Sequence, residues 1–115
     1  MPRPQRRRRI CGLPRHTRFE PVRCEGVEPV SLSLDEYEAI RLMDREGLTH
    51  EQCAEVMRVS RTTVTEIYAS ARRKLATAIT GGAALVIGGG SIELCDRSAP
   101  CGYGCCETDY GNTES

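Results

Sequence analysis

Two helix starts lie within a dozen residues of each other in the stretch GLTHEQCAEVMRVSRTTVTEIYASARRKL, residues 47–75, and no other feature constrains the fold as much. Thr49 stands three residues before Gln52. That is the spacing of a capping box, in which two side chains satisfy the free N–H groups of a helix's first turn. The helix that begins at about His50 lasts only two turns before "RVS" interrupts it, and Ser60 caps the next one. Val64, Ile67, Tyr68, Ala71, Leu75, Ala78 and Ile79 then place one apolar or small stripe on a helix running to about Thr80. Gly81-Gly82 stops it. A further helix precedes this pair. Ser33 and Glu36 repeat the capping-box spacing, Leu34, Tyr37, Ile40 and Met43 follow at helical intervals with Leu42 beside them, and Gly47 ends the run. That helix is expected over about 34–46.

Either side of these helices the chain changes character. Its net charge is zero, but residues 1–23 carry eight Arg and one acid, residues 24–87 seven bases and ten acids, and residues 88–115 one base and five acids. Residues 1–30 also hold five Pro and show neither helical nor alternating periodicity. They read as a basic extended arm with one short strand near Val22. After helix three, "AALVIGGGSIEL" sets two β-prone runs around a Gly-rich turn, which reads as a small hairpin. The expected architecture is mainly α: an arm at 1–30, a three-helix domain with a C-terminal hairpin at 31–94, and a Cys-rich acidic tail at 95–115. At 115 residues with one Phe and no Trp, the core must be small and aliphatic.

Two helices joined by a tight turn form a helix-turn-helix, whose second helix offers its N-terminal residues to base edges in the major groove of double-stranded DNA. The demands of that unit are met residue by residue. Ala54 is small where the two helices approach, Cys53 and Met57 are apolar on the inner face, Val59 plugs the turn, and Val64 and Ile67 anchor the second helix. The outward face then carries Arg61, Thr62, Thr65, Glu66, Arg72 and Arg73. Arg61 suits guanine O6 and N7, and Glu66 can accept from cytosine N4. Threonines can meet a thymine methyl or a phosphate. Arg72, Arg73 and Lys74 lie further along, at phosphate height. The helices alone carry more acid than base, and Arg3, Arg6, Arg7, Arg8 and Arg9 of the arm supply the missing cations, entering a minor groove or neutralising phosphates. A solvated arm, and a three-helix unit that binds protein, are the bland readings of the same residues.

The segment "LTHEQCAEVMRVSRTTVTEIYASARRKL" resembles the last helix-turn-helix of bacterial sigma factors, over roughly residues 34–79. The resemblance implies a promoter-reading helix with Arg61, Thr62, Thr65 and Glu66 as its base-facing set. This chain departs from that pattern at Arg58, where a glycine is usual and a left-handed backbone costs a non-glycine residue about 1 kcal/mol. It departs again at Thr62 and Thr65, where charged residues are usual. Taken whole, "MPRP", "RRRRICGLP", the helical segment, the Gly-rich run, "LC" and the Cys-rich end are similar to a family of small uncharacterised prokaryotic proteins. Its members are described only as candidate DNA-binding proteins.

Seven Cys remain to be placed. No apolar core of about 7–15 residues follows the N-terminal arginines, so no export signal is visible. No run approaches the roughly 18 apolar residues of a membrane span. The chain is therefore expected in the cytoplasm with reduced thiols and no membrane partner. Cys95, Cys101, Cys105 and Cys106 fall within twelve residues. Four thiolates so close can surround one zinc ion or hold an iron–sulfur cluster. Cys105 and Cys106 are adjacent and awkward as ligands to one ion, so Cys11, Cys24 or His16 is an alternative fourth ligand. A reduced tail with incidental thiols is the other reading. Cys53 is expected to be a small core residue, His50 an exposed first-turn residue and His16 a solvated one. No Ser/His/Asp set, phosphate loop or carboxylate pair stands out, and the glycines of "GGAALVIGGG" lead into no helix, so the chain does not read as an enzyme. Two functions remain: a transcriptional regulator that reads DNA, and a metal- or redox-sensing adaptor whose helices bind a protein such as RNA polymerase.

Overall fold

A computed structural model describes residues 7–23 and 25–95. The described chain is a small α/β unit of three helices and five short strands. In order these are β1 (Arg8–Ile10), β2 (Arg18–Phe19), β3 (Val30–Leu32), α1 (Leu34–Ile40) running directly into a π-helical turn (Arg41–Arg45), α2 (His50–Met57), α3 (Arg61–Gly81), β4 (Leu85–Ile87) and β5 (Ile92–Leu94). Both anticipated capping boxes form, with Ser33 and Glu36 opening α1 and Thr49 and Gln52 opening α2. The expected first helix has the right extent but not a uniform form. Its last turn widens, so that Glu46 N–H donates to Arg41 O at 2.9 Å. Gly47 then turns out at φ 80°, and Leu48 N–H reaches back to Leu42 O at 2.9 Å.

The expected hairpin does not form. β4 is the middle strand of a three-stranded sheet, antiparallel to β2 and parallel to β3, with Phe19 opposite Leu85 and Leu32 opposite Ile87. β5 pairs instead with β1, in parallel, with Ile10 opposite Leu94. The glycines between β4 and β5 explain the difference. Gly89 and Gly90 have φ of 78° and 99°. Gly89 O accepts from Leu34 N–H at 2.9 Å, and a Cβ on Gly90 would lie 3.0 Å from Asp35 Oδ1. Here glycine lets the chain pass close over the start of α1 rather than reverse on itself.

Residues 7–23 are likewise no free arm. They contribute β1 and β2, with Ile10 fully buried and Cys11 in the core. The strand expected near Val22 lies earlier, at Arg18–Phe19, and Val22 itself is fully exposed. What looked like a structureless segment supplies the partners that both β-prone runs need.

One core cluster joins Ala39, Leu42, Cys53, Val56, Met57, Val64 and Ile67 from the three helices, with Cys11 laid against them. A second joins Leu32, Ala71 and Ile87, placing the three-stranded sheet on α1 and α3. Each fully buried aliphatic side chain such as Leu42 or Val64 contributes about 1.5–3 kcal/mol.

Three acids on α1 bind these layers together. Glu38, fully buried, takes Arg41 Nε and Nη2 at 2.9 and 2.8 Å and the Cys11 backbone N–H at 2.9 Å. Asp35 faces Arg8 at 3.6 Å. Glu36 accepts from Ser33 N–H at 2.9 Å, Ser70 Oγ at 2.5 Å and Lys74 Nζ at 2.9 Å. Burial pushes the Glu36 carboxyl up, but the hydrogen bonds from Lys74, Ser70 and Ser33 together outweigh it and hold the group below its ordinary value.

Candidate nucleic-acid interface

The turn between α2 and α3 is three residues, Arg58–Ser60. Arg58 adopts φ 60° and ψ 45°, as anticipated, and is the sole non-glycine with positive φ among the described residues. Its N–H and that of Val59 close back onto carbonyls of α2, with Val59 N–H on Ala54 O at 3.1 Å. Ser60 then caps α3 by accepting from Thr63 N–H at 3.1 Å. The geometry starts α3 immediately beside the end of α2.

Arg61, Thr62, Thr65, Glu66, Arg72 and Arg73 are all exposed, opposite the buried Val64, Ile67 and Ala71. At 1.5 Å rise per residue, this polar face extends about 18 Å from Arg61 to Arg73. No acid among the described residues pairs with Arg61 or Arg73. Lys74 differs from expectation. It lies where α3 turns toward α1, and its ammonium is bound to Glu36 rather than offered outward.

Two interactions on this face were not foreseen. His50 Nδ1 and Thr65 Oγ1 are 3.0 Å apart, and the imidazole sets its edge against the Tyr68 ring. Tyr68 packs on the core, yet its hydroxyl donates to Asp44 Oδ1 at 2.7 Å and receives Arg72 Nη1 at 3.0 Å. Arg72 also lies over the Tyr68 ring and 3.8 Å from Asp44. The hydrogen bond to Asp44, with desolvation and the Asp44 charge, raises the Tyr68 pKa, so the phenol keeps its proton. The i, i+4 spacing of Tyr68 and Arg72 was a readable signal. Nothing local announces contacts that cross from α2 or the π turn.

The N-terminal arginines fare differently. Arg7 is exposed. Arg8 is buried against Asp35, because residues 8 and 10 of β1 share its inward face. Arg9 Nε donates to Val56 O at 2.8 Å, closing the end of α2. Arg8 is therefore not available to a phosphate, and Arg9 is held by the fold. Arg3 and Arg6 lie outside the described residues.

Of the cysteines, Cys53 is buried in the core as expected, and His16 is exposed. Cys95 is half-buried, and its N–H donates to Ile10 O at 2.8 Å. Cys11 and Cys95 thus each follow the last paired residues of the β1–β5 ladder. Cys24, Cys101, Cys105 and Cys106 lie outside the described residues, and among the described residues no three His, Cys, Asp or Glu cluster as metal ligands. Nor, among them, is any helix long and apolar enough to cross a membrane.

Residues 1–95 match the family described as "Protein of unknown function DUF134". The chain belongs to this family. It is 47% identical over 108 residues to a UPF0251 protein of Desulfitobacterium hafniense, covering 91% of this chain and 86% of that one. A UPF0251 protein of Pelotomaculum thermopropionicum is 46% identical over 103 residues, covering 88% and 78% of the two chains. One from Clostridium acetobutylicum is 42% identical over 115 residues, covering 96% and 77%. No solved structure matches.

Proposed function

We propose that this chain is a sequence-specific DNA-binding protein of the cytoplasm, a transcriptional regulator whose α2 and α3 act as a helix-turn-helix similar to the last one of sigma factors. The observation that carries the reading is the exposed polar face of α3. It begins with Arg61 directly after a tight turn, and core residues back it along its length. The second helix of such a unit lies in the major groove with its N-terminal residues on base edges, and those residues here are Arg61, Thr62, Thr65 and Glu66. Arg73 and Arg58, both exposed, sit at the flanks where phosphates pass. Arg7, with Arg3 and Arg6 beyond it in sequence, adds charge from the N-terminal side.

Selection from random duplexes, followed by binding measured over a range of salt, tests this. A preferred site and a steep loss of affinity with salt are expected, with a slope of about −0.9 per phosphate contacted. Equal, weak binding to every sequence overturns the reading. A second reading draws on Cys95, whose N–H donates to Ile10 O where the β1–β5 ladder ends and the Cys-rich segment of the sequence begins. There the chain is a metal- or redox-sensing adaptor with zinc or an iron–sulfur cluster on Cys95 and the tail thiols, and its helices bind a protein such as RNA polymerase. Metal content after anaerobic, reducing purification, with and without Cys95→Ser, tests that alternative.

A further inference from the structure

Thr65 is not placed like Thr77 and Thr80, further along α3. Thr77 and Thr80 donate to the carbonyls four residues back, Arg73 O at 2.9 Å and Ala76 O at 2.7 Å. That back-bond is the nearest acceptor for a helical hydroxyl proton. Thr65 instead turns to His50 Nδ1, at 3.0 Å, across the gap between the two helices. His50 is itself fixed, because it opens α2 directly after the capping residue Thr49 and its ring edge abuts Tyr68, centroids 5.7 Å apart at 83°.

A hydroxyl has one proton and two lone pairs, and a neutral imidazole has one acceptor nitrogen. We propose that His50, as its Nε2–H tautomer, is a specificity-determining residue: its Nδ1 accepts a hydrogen bond from Thr65 Oγ1, so that Thr65 offers DNA only hydrogen-bond acceptors. Thr65 then suits an exocyclic amine, adenine N6 or cytosine N4, and not guanine O6, a purine N7 or a phosphate oxygen. His50 need not touch a base to do this. It acts through Thr65 as a positioning residue, and it sets a hydrogen-bond sense that the threonine alone would leave open. The inference rests on the major-groove reading of α3 above.

The test uses the site selected by the wild-type chain and copies of it altered one atom group at a time. In one set a single exocyclic amine is deleted, adenine becoming purine or cytosine becoming 2-pyrimidinone. In the other a single N7 is removed by a 7-deazapurine. One amine deletion is expected to weaken wild-type binding about tenfold. Thr65→Val should not feel that deletion. His50→Ala should lose most of the same sensitivity. His50→Asp keeps an acceptor beside Thr65, so it should retain the sensitivity although its added charge lowers affinity on every duplex. The double variant His50→Ala with Thr65→Val should behave as either single one. Circular dichroism and melting temperature accompany each variant, and His50→Phe, which keeps a ring against Tyr68 but has no acceptor, serves where His50→Ala unfolds the chain. His50→Ala as sensitive as wild type would overturn the inference and leave His50 a staple between helices. So would a Thr65 contact that proves to be an N7. A wild-type chain that selects no site at all would instead defeat the DNA reading itself.

Discussion

Arg8 and Arg61 look alike in the sequence, since each belongs to a segment that invites a DNA assignment, yet the fold treats them oppositely. Arg8 points inward from β1 and meets Asp35 with both side chains almost wholly covered. Arg61 stands in solvent at the first position of α3. A run of arginines therefore measures the charge of a segment and not the charge it can present. What decides is whether a strand pairing turns a given residue toward the core and whether an acid waits there. α1 provides three such acids in four residues, and the arginines and lysine that meet them act within the fold.

The contrast can be broken most severely at Glu38. Replacing it with alanine strands the buried Arg41 guanidinium and unties Cys11, and should cost about 3–5 kcal/mol in urea unfolding. Arg8→Ala is the next in size. Its approach to Asp35 is longer, at 3.6 Å, so a loss of about 3 kcal/mol of stability is expected, at the lower edge of buried pairs. DNA titrations of the variant should show an unchanged salt slope. Arg61→Ala should do the reverse, shifting stability by less than about 0.5 kcal/mol while costing about 1–3 kcal/mol on the preferred site. A flatter salt slope for Arg8→Ala, or unfolding of Arg61→Ala, would erase the distinction between the two arginines.

Two smaller effects sharpen it. The Glu36 carboxyl sits below its ordinary value of 4.5 in the folded chain. Its contribution to stability is therefore whole above that value and is lost as the pH falls through the lower folded one. Glu36→Gln should remove this part of the acid-unfolding curve, and a curve superimposable on wild type would show that the bonds from Lys74 and Ser70 add nothing. Arg58→Gly relieves the left-handed backbone and should raise stability by at most about 0.5 kcal/mol after glycine's own entropic penalty. On DNA the same change should weaken binding, and a variant that binds as well as wild type would remove Arg58 from the interface.

Helices were legible because their signals are local. Ser33 with Glu36, Thr49 with Gln52, and Gly47 each announce an end of a helix within a few residues, and the left-handed Arg58 followed from the resemblance to sigma factors, which place a glycine there. Strand pairing was not legible. The runs around Leu85 and Ile92 each have β character, but their partners lie near Phe19, Val30 and Arg8, and no local pattern says which distant segment will pair. A Gly-rich connection suits a reversal and a close crossing equally well, and here it crosses close to Ser33, Leu34 and Asp35, which lie far away in sequence. The exposed face of α3 followed from periodicity. The His50–Thr65 contact depends on how α2 and α3 meet and could not have been read from either helix.

The β1–β5 ladder has a consequence for how the chain is made. Two parallel strands need a long crossover, and here the crossover is nearly the whole described chain, from Ile10 to Ile92. Synthesis runs from the N-terminus at about 5–20 residues per second. Arg8–Ile10 can lay its inward side chains on α1 and α2 as soon as these have formed, but its backbone edge stays unpaired until Ile92–Leu94 has left the ribosome. Non-local closure of this kind slows folding. The first described strand is thus the last to gain its ladder partner, and a nascent chain halted before Ile92 would present the unpaired backbone edge of Arg8–Ile10 to other chains.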